Sequence, residues 1–134
     1  MIKKFVFSCT FFLCIFLLSA QSQERENLQQ AKYLFSAEKF GLSQYLYQKI
    51  YTDNLTTNAE KEDALFHIAI CSKRMFNEDT KFWFDEFLSV YPYSSKINSV
   101  NYELGIFYFR QANYPFALDY FQKCDNETSE YNFK

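Results

Sequence analysis

Leu104-Gly105-Ile106-Phe107-Tyr108, followed by Asn113-Tyr114-Pro115-Phe116-Ala117-Leu118-Asp119-Tyr120-Phe121, is the stretch whose reading decides the fold. Asn113 is placed to cap a helix, and Pro115 falls in that helix's first turn, where its missing N–H costs nothing. The helix before this cap carries Leu104, Gly105 and Tyr108, and opens after Ser94 or Ser95 ahead of Ile97 and Val100. The helix after it carries Phe116, Ala117, Tyr120, Phe121 and Cys124. The 134 residues hold only two glycines and two prolines. With long stretches rich in Glu, Lys, Gln, Leu and Ala, such scarcity of turn residues predicts long helices, short loops and an all-α fold.

Two weaker copies of this unit stand upstream. Ala69, set among Leu65, Phe66, Ile68 and Ile70, lies 36 residues before Gly105 and is followed by Trp83, Phe84, Phe87 and Leu88. Ala31 lies 38 residues before Ala69, with Leu28, Leu34 and Phe35 around it, then Phe40, Ser43, Tyr47 and Ile50. Helix signals support the division. Asn58, or Thr57 with Glu60 as a capping box, starts the helix of Ala69. Asn77 is expected to cap the helix of Trp83, which should stop at Tyr91 because Pro92 disfavours helical backbone before it.

The constellation Leu104, Gly105, Tyr108, Ala117 and Phe121 resembles the tetratricopeptide repeat, whose period is about 34 residues. The resemblance implies a right-handed α-solenoid of about three antiparallel helix pairs, with repeats over 24–57, 58–94 and 95–128. Ala31, Ala69 and Gly105 would be points of close helix approach, so a crossing backbone is expected beside Gly105. Asn101 departs from the family, which prefers a large residue there. Trp83 stands where the second helix of a repeat normally has a small one. Residues 129–134 read as the opening of a further repeat, so the chain is expected to be the amino-terminal part of a longer array. Phe87-Leu88-x-x-Tyr91-Pro92-x-Ser94 resembles the repeat variant of bacterial envelope proteins, such as the Bam-complex lipoprotein and the periplasmic partner of Tol-Pal.

Export is read separately. Met1-Ile2-Lys3-Lys4 precedes an apolar run of 14 residues from Phe5 to Leu18 and then Ser19-Ala20, the pattern of a cleaved signal peptide over 1–20. That run is shorter than the roughly 20 residues needed to span a bilayer. Without Lys3 and Lys4, 12 basic residues face 16 acidic ones, a net charge of about −4. A mildly acidic chain with no basic cluster lacks the footprint of a nucleic-acid binder. Cys9 and Cys14 leave with the signal, and the remaining Cys71 and Cys124 are expected as two half-buried thiols.

Catalytic and metal chemistry find little material. His67 is the only histidine. Cys71, one turn on, shares its helix face, but two ligands make a poor site. Glu78-Asp79 and Asp85-Glu86 are neighbours that point about 100° apart on a helix; the first pair suits a helix start. No Gly-rich loop offers a phosphate cradle. The chain is expected to be no enzyme and to take no cofactor or metal.

The resemblance implies a groove lined by the first helix of each pair: Leu28, Lys32 and Phe35; Phe66, Ile70, Lys73 and Arg74; Tyr102, Ile106, Phe109 and Arg110. Apolar residues with basic edges suit an extended or helical segment bearing acidic groups. The expected function is an exported, non-catalytic scaffold for other envelope proteins or peptide segments, in the periplasm or on the periplasmic face of the outer membrane. Any membrane association would run through those partners. Its rivals are the sensory region of a membrane-bound regulator and the accessory domain of an envelope enzyme.

Overall fold

Thr57 and Glu60 fix where the central helix begins. The Thr57 hydroxyl accepts the Glu60 backbone N–H at 3.3 Å, and the Glu60 carboxylate accepts the Thr57 backbone N–H at 3.1 Å. Two donors that a helix start leaves open are thus satisfied reciprocally. The helix runs Asn58–Arg74 and ends on Lys73 and Arg74, charges that complement its carboxy-terminal dipole.

The computed structural model describes residues 26–124, and the regular structure among them is all helical. In chain order the helices are α1 (26–36), α2 (Phe40–Thr52), α3 (Asn58–Arg74), α4 (Thr80–Val90), α5 (Ile97–Arg110) and α6 (Tyr114–Gln122). Residues 1–20, read as a signal peptide, and 129–134, read as a repeat start, lie outside the described residues. α4 stops at Val90 with Tyr91 as its C-cap, one residue before Pro92. Pro115 sits in the first turn of α6. Lys96 holds the N-cap position of α5, and the Ser94 hydroxyl accepts its backbone N–H at 3.0 Å.

One turn recurs three times. After α1, α3 and α5 a residue takes positive φ: Glu38 at 57°, Phe76 at 58° and Ala112 at 57°. Each closes its helix with two backbone bonds. The Glu38 N–H reaches the Phe35 carbonyl at 3.0 Å and the Lys39 N–H reaches Leu34 at 2.8 Å. Phe76 and Asn77 do the same to Lys73 and Ser72, both at 3.1 Å, and Ala112 and Asn113 to Phe109 and Tyr108, both at 3.0 Å. This is the Schellman closure, which satisfies carbonyls left open at a helix end. Each left-handed residue lies seven positions beyond Ala31, Ala69 or Gly105, so the small residues and the turns keep a single register. Asn77 therefore does not cap α4, as expected from sequence. It completes the turn of α3, and α4 opens three residues later at Thr80.

Small residues are buried on both helices of each hairpin. Ala31 and Ser43 are fully buried, and the Ser43 hydroxyl donates to the Ala31 carbonyl at 2.9 Å. In the second hairpin Ala69 and Thr80 are both fully buried, and the Thr80 hydroxyl donates to the Asn77 carbonyl at 2.7 Å and lies 3.1 Å from the Ser72 hydroxyl. Trp83, the fourth residue of α4 as Ser43 is of α2, is half-buried, and its indole N–H donates to Asp79 at 2.9 Å. Ala117 is the buried small residue of α6 in the third. Beside Gly105, however, stands the ring of Phe121 and not a crossing backbone: a Cβ there would come within 2.4 Å of the ring. Phe121, four residues after Ala117, turns its side chain back into the gap that the glycine leaves.

Hydrophobic burial divides at α3. Ala64 and Ile68 join Ala31, Tyr47 and Ile50 on one side, while Leu65 and Ala69 join Phe84, Phe87, Val100, Leu104 and Ala117 on the other. Each large side chain so enclosed contributes about 1.5–3 kcal/mol, which makes α3 the element on which both clusters depend. Ion pairs link α3 to α5 at both ends. Lys96 lies 3.8 Å from Glu62 and 3.5 Å from Asp63, and Lys73 pairs with Glu103.

Candidate binding cleft

The end of α3, its closing turn and the end of α5 enclose a cleft of about 530 Å³, within the range of small-ligand sites. Phe76 and Phe107 give its lining an apolar part, and Lys73, Asn77, Glu78, Thr80, Arg110 and Gln111 supply polar groups. The recurring turn positions these side chains. Because Phe76 takes the left-handed conformation, its ring projects outward and is 79% exposed, with the Arg110 guanidinium 5.9 Å from its centroid. That is within cation–π range.

Lys73 is buried, and its ammonium is paired with the Glu103 carboxylate. Burial pushes this ammonium down to about 8, and the nearby Arg74 and Arg110 guanidinium groups act in the same sense. Among the described residues, by contrast, no hydrogen bond or ion pair engages the side chains of Asn77, Glu78, Arg110 or Gln111.

The eleven groove residues read from sequence do not converge on this cleft. Lys73 and Arg110 line it, and Arg74 ends α3 exposed beside it. Ile70 is packed in the larger core cluster. Phe35 and Phe66 are half-buried and meet the His67 ring edge-on, with centroids at 5.1 and 5.6 Å. Leu28 packs on the smaller cluster, Ile106 is half-buried, and Lys32 is exposed. Tyr102 and Phe109 are 54% and 56% exposed on α5. With Tyr114, Phe116 and Leu118 of α6 they leave the last hairpin with five large apolar side chains in solvent.

Sequence reasoning missed Phe76, Asn77, Glu78, Phe107 and Gln111. Four of them belong to closing turns whose left-handed residue is neither Gly nor Asn, so the usual marker of such a turn was missing. Lys73, expected at a basic edge of the groove, is buried. It is accommodated by Glu103, a partner from another helix.

Residues weighed for other chemistry have structural partners. His67 stacks on Tyr47 with centroids 4.7 Å apart, and its Nδ1 lies 2.8 Å from the Asp63 carbonyl oxygen. Cys71 and Cys124 are free thiols, the first buried and the second half-buried. Burial pushes the Cys71 thiol up to about 11, opposed by the Ser43 hydroxyl. Asp79 accepts from the Ser72 hydroxyl and the Trp83 indole, tying the α3–α4 loop to both helices. Among the described residues no three His, Cys, Asp or Glu side chains are grouped to hold a metal, and no helix is long and apolar enough to cross a membrane. No family model, curated protein or solved structure matches this chain.

Proposed function

We propose that the chain is an exported, non-catalytic scaffold of tetratricopeptide type, a right-handed solenoid of helix pairs that holds protein segments of the bacterial envelope. The observation that carries this reading is the threefold unit: a small buried residue, a left-handed closure seven positions later, and a second helix returning against the first. Units of this kind stack by repetition and offer extended surfaces for partners. Exposed Tyr102, Phe109, Tyr114, Phe116 and Leu118 offer apolar contact area to a partner. Arg74 and Arg110 at the end of the hairpins favour acidic residues on the partner's flank.

The test is capture from an envelope extract by the wild-type chain and by a Tyr102→Ala/Phe109→Ala double variant. Both side chains are more than half exposed, so the variant keeps the fold. The variant should lose at least tenfold of the proteins the wild type retains. Equal recovery of the same proteins would refute this placement of the surface.

A further inference from the structure

The cleft at the ends of α3 and α5 holds groups of both signs that no hydrogen bond or ion pair among the described residues engages. Lys73 is spent on Glu103, and the Thr80 hydroxyl on the Asn77 carbonyl. What remains among the described residues is one guanidinium, Arg110, one carboxylate, Glu78, and two primary amides, Asn77 and Gln111. They line a space together with Phe76 and Phe107. A purely anionic ligand would meet Arg110 but also Glu78 and would forfeit part of its attraction. A purely cationic one would meet Glu78 but also Arg110, beside Lys73 and Arg74. An uncharged apolar ligand would cover all four polar groups and leave them without water or partner, which is costly.

We propose that this cleft binds a small apolar zwitterion, an amino acid or dipeptide with both termini free, its carboxylate at Arg110, its ammonium at Glu78 and its side chain between Phe76 and Phe107. Asn77 and Gln111, each donor and acceptor, serve the polar groups between the two charges. The volume of about 530 Å³ admits either length of ligand. At the preceding junction, between the ends of α1 and α3, Arg74 takes the position of Arg110, but the position of Phe76 holds Glu38. The inference rests on the cleft alone and stands or falls independently of the scaffold reading.

Calorimetric titration of the full chain tests it with four probes: phenylalanine, phenylalanyl-phenylalanine, phenylalaninamide without the carboxylate, and N-acetylphenylalanine without the ammonium. At least one of the two zwitterions should bind saturably, and the tighter one defines the charge separation. Each blocked analogue should bind at least tenfold more weakly. In Arg110→Gln the penalty for losing the carboxylate should vanish, and in Glu78→Gln the penalty for losing the ammonium. Each variant should keep the other penalty, an outcome that general unfolding could not produce. Absence of binding by both zwitterions, equal binding of the blocked analogues, or penalties unchanged in the variants would each overturn the proposal.

Discussion

The chain's two glycines both lie in helices, and the same substitution should move stability in opposite directions at the two. Replacing a helical glycine by alanine gains up to about 1 kcal/mol from backbone entropy and propensity. At Gly41, in the first turn of α2, the added Cβ meets only the Met75 sulfur at 3.6 Å, an ordinary contact. Gly41→Ala should therefore stabilise by about 0.5–1 kcal/mol. At Gly105 the Cβ would come 2.4, 2.5 and 2.9 Å from three atoms of the Phe121 ring. The ring must swing outward, and overpacking of this kind costs about 1–3 kcal/mol. Set against the same gain, Gly105→Ala should destabilise by about 1 kcal/mol, or roughly 5 °C in Tm for a domain of this size. Thermal and urea unfolding of both variants measure the difference, and Phe121→Leu supplies the control. With the ring gone, Gly105→Ala should cost less by at least about 0.5 kcal/mol, the coupling expected of residues in contact. If Gly105→Ala stabilises as Gly41→Ala does, the ring is not seated against the glycine, and the packing of α5 on α6 given above is wrong.

Two further outcomes follow from the turns and the buried thiol. Ala112→Gly should stabilise by about 0.5–1 kcal/mol in urea unfolding, because the left-handed conformation costs an L-residue about 1–2 kcal/mol and glycine almost nothing; Ala112 is exposed, so no packing is lost. Cys71 keeps its proton when folded up to about 11, against 9.0 for an ordinary thiol. Its contribution is therefore fully present below pH 9 and is lost as pH rises through 11, on the order of 2 kcal/mol in all. Lys73, lowered from 10.5 to about 8, has the opposite sign and adds stability as pH rises over that interval. The measurement is thus the difference between wild type and Cys71→Ala in urea at pH 8 and pH 10.5, which should shift against the wild type at the higher pH. A constant difference would show that the thiol is not held in its protonated form.

The start of α3 and the end of α4 were legible because their signals are local. Thr57 and Glu60 need only each other, and Pro92 constrains its own neighbour whatever packs around it. The spacing of Ala31, Ala69 and Gly105 was legible too, as a pattern of small residues within apolar runs. Its physical meaning at Gly105 was not. A glycine in a helix announces that something comes close, and only the position of α6 decides whether that is backbone or the Phe121 ring. The start of the second helix in the second hairpin was hidden by the loop ahead of it. There the second helix opens two residues later, relative to the preceding left-handed residue, than in the hairpins closed at Glu38 and Ala112.

The closing turns carry the same lesson into the cleft. Glycine at the left-handed position would have been visible in the sequence and cheaper for the backbone, yet Glu38, Phe76 and Ala112 occupy it. At Phe76 the conformational cost is coupled to a consequence that glycine could not deliver: a large ring held clear of the core, 5.9 Å from a guanidinium and lining the same cleft as Phe107. Strain retained where a side chain is thereby aimed into a cleft marks a position to examine for function. It makes Phe76 the residue where the requirements of folding and of ligand binding diverge. Replacing it by glycine relaxes the turn and removes the ring in one step. The same variant should therefore unfold no more easily than the wild type and yet bind the zwitterion more weakly, a combination that a residue serving packing alone cannot give.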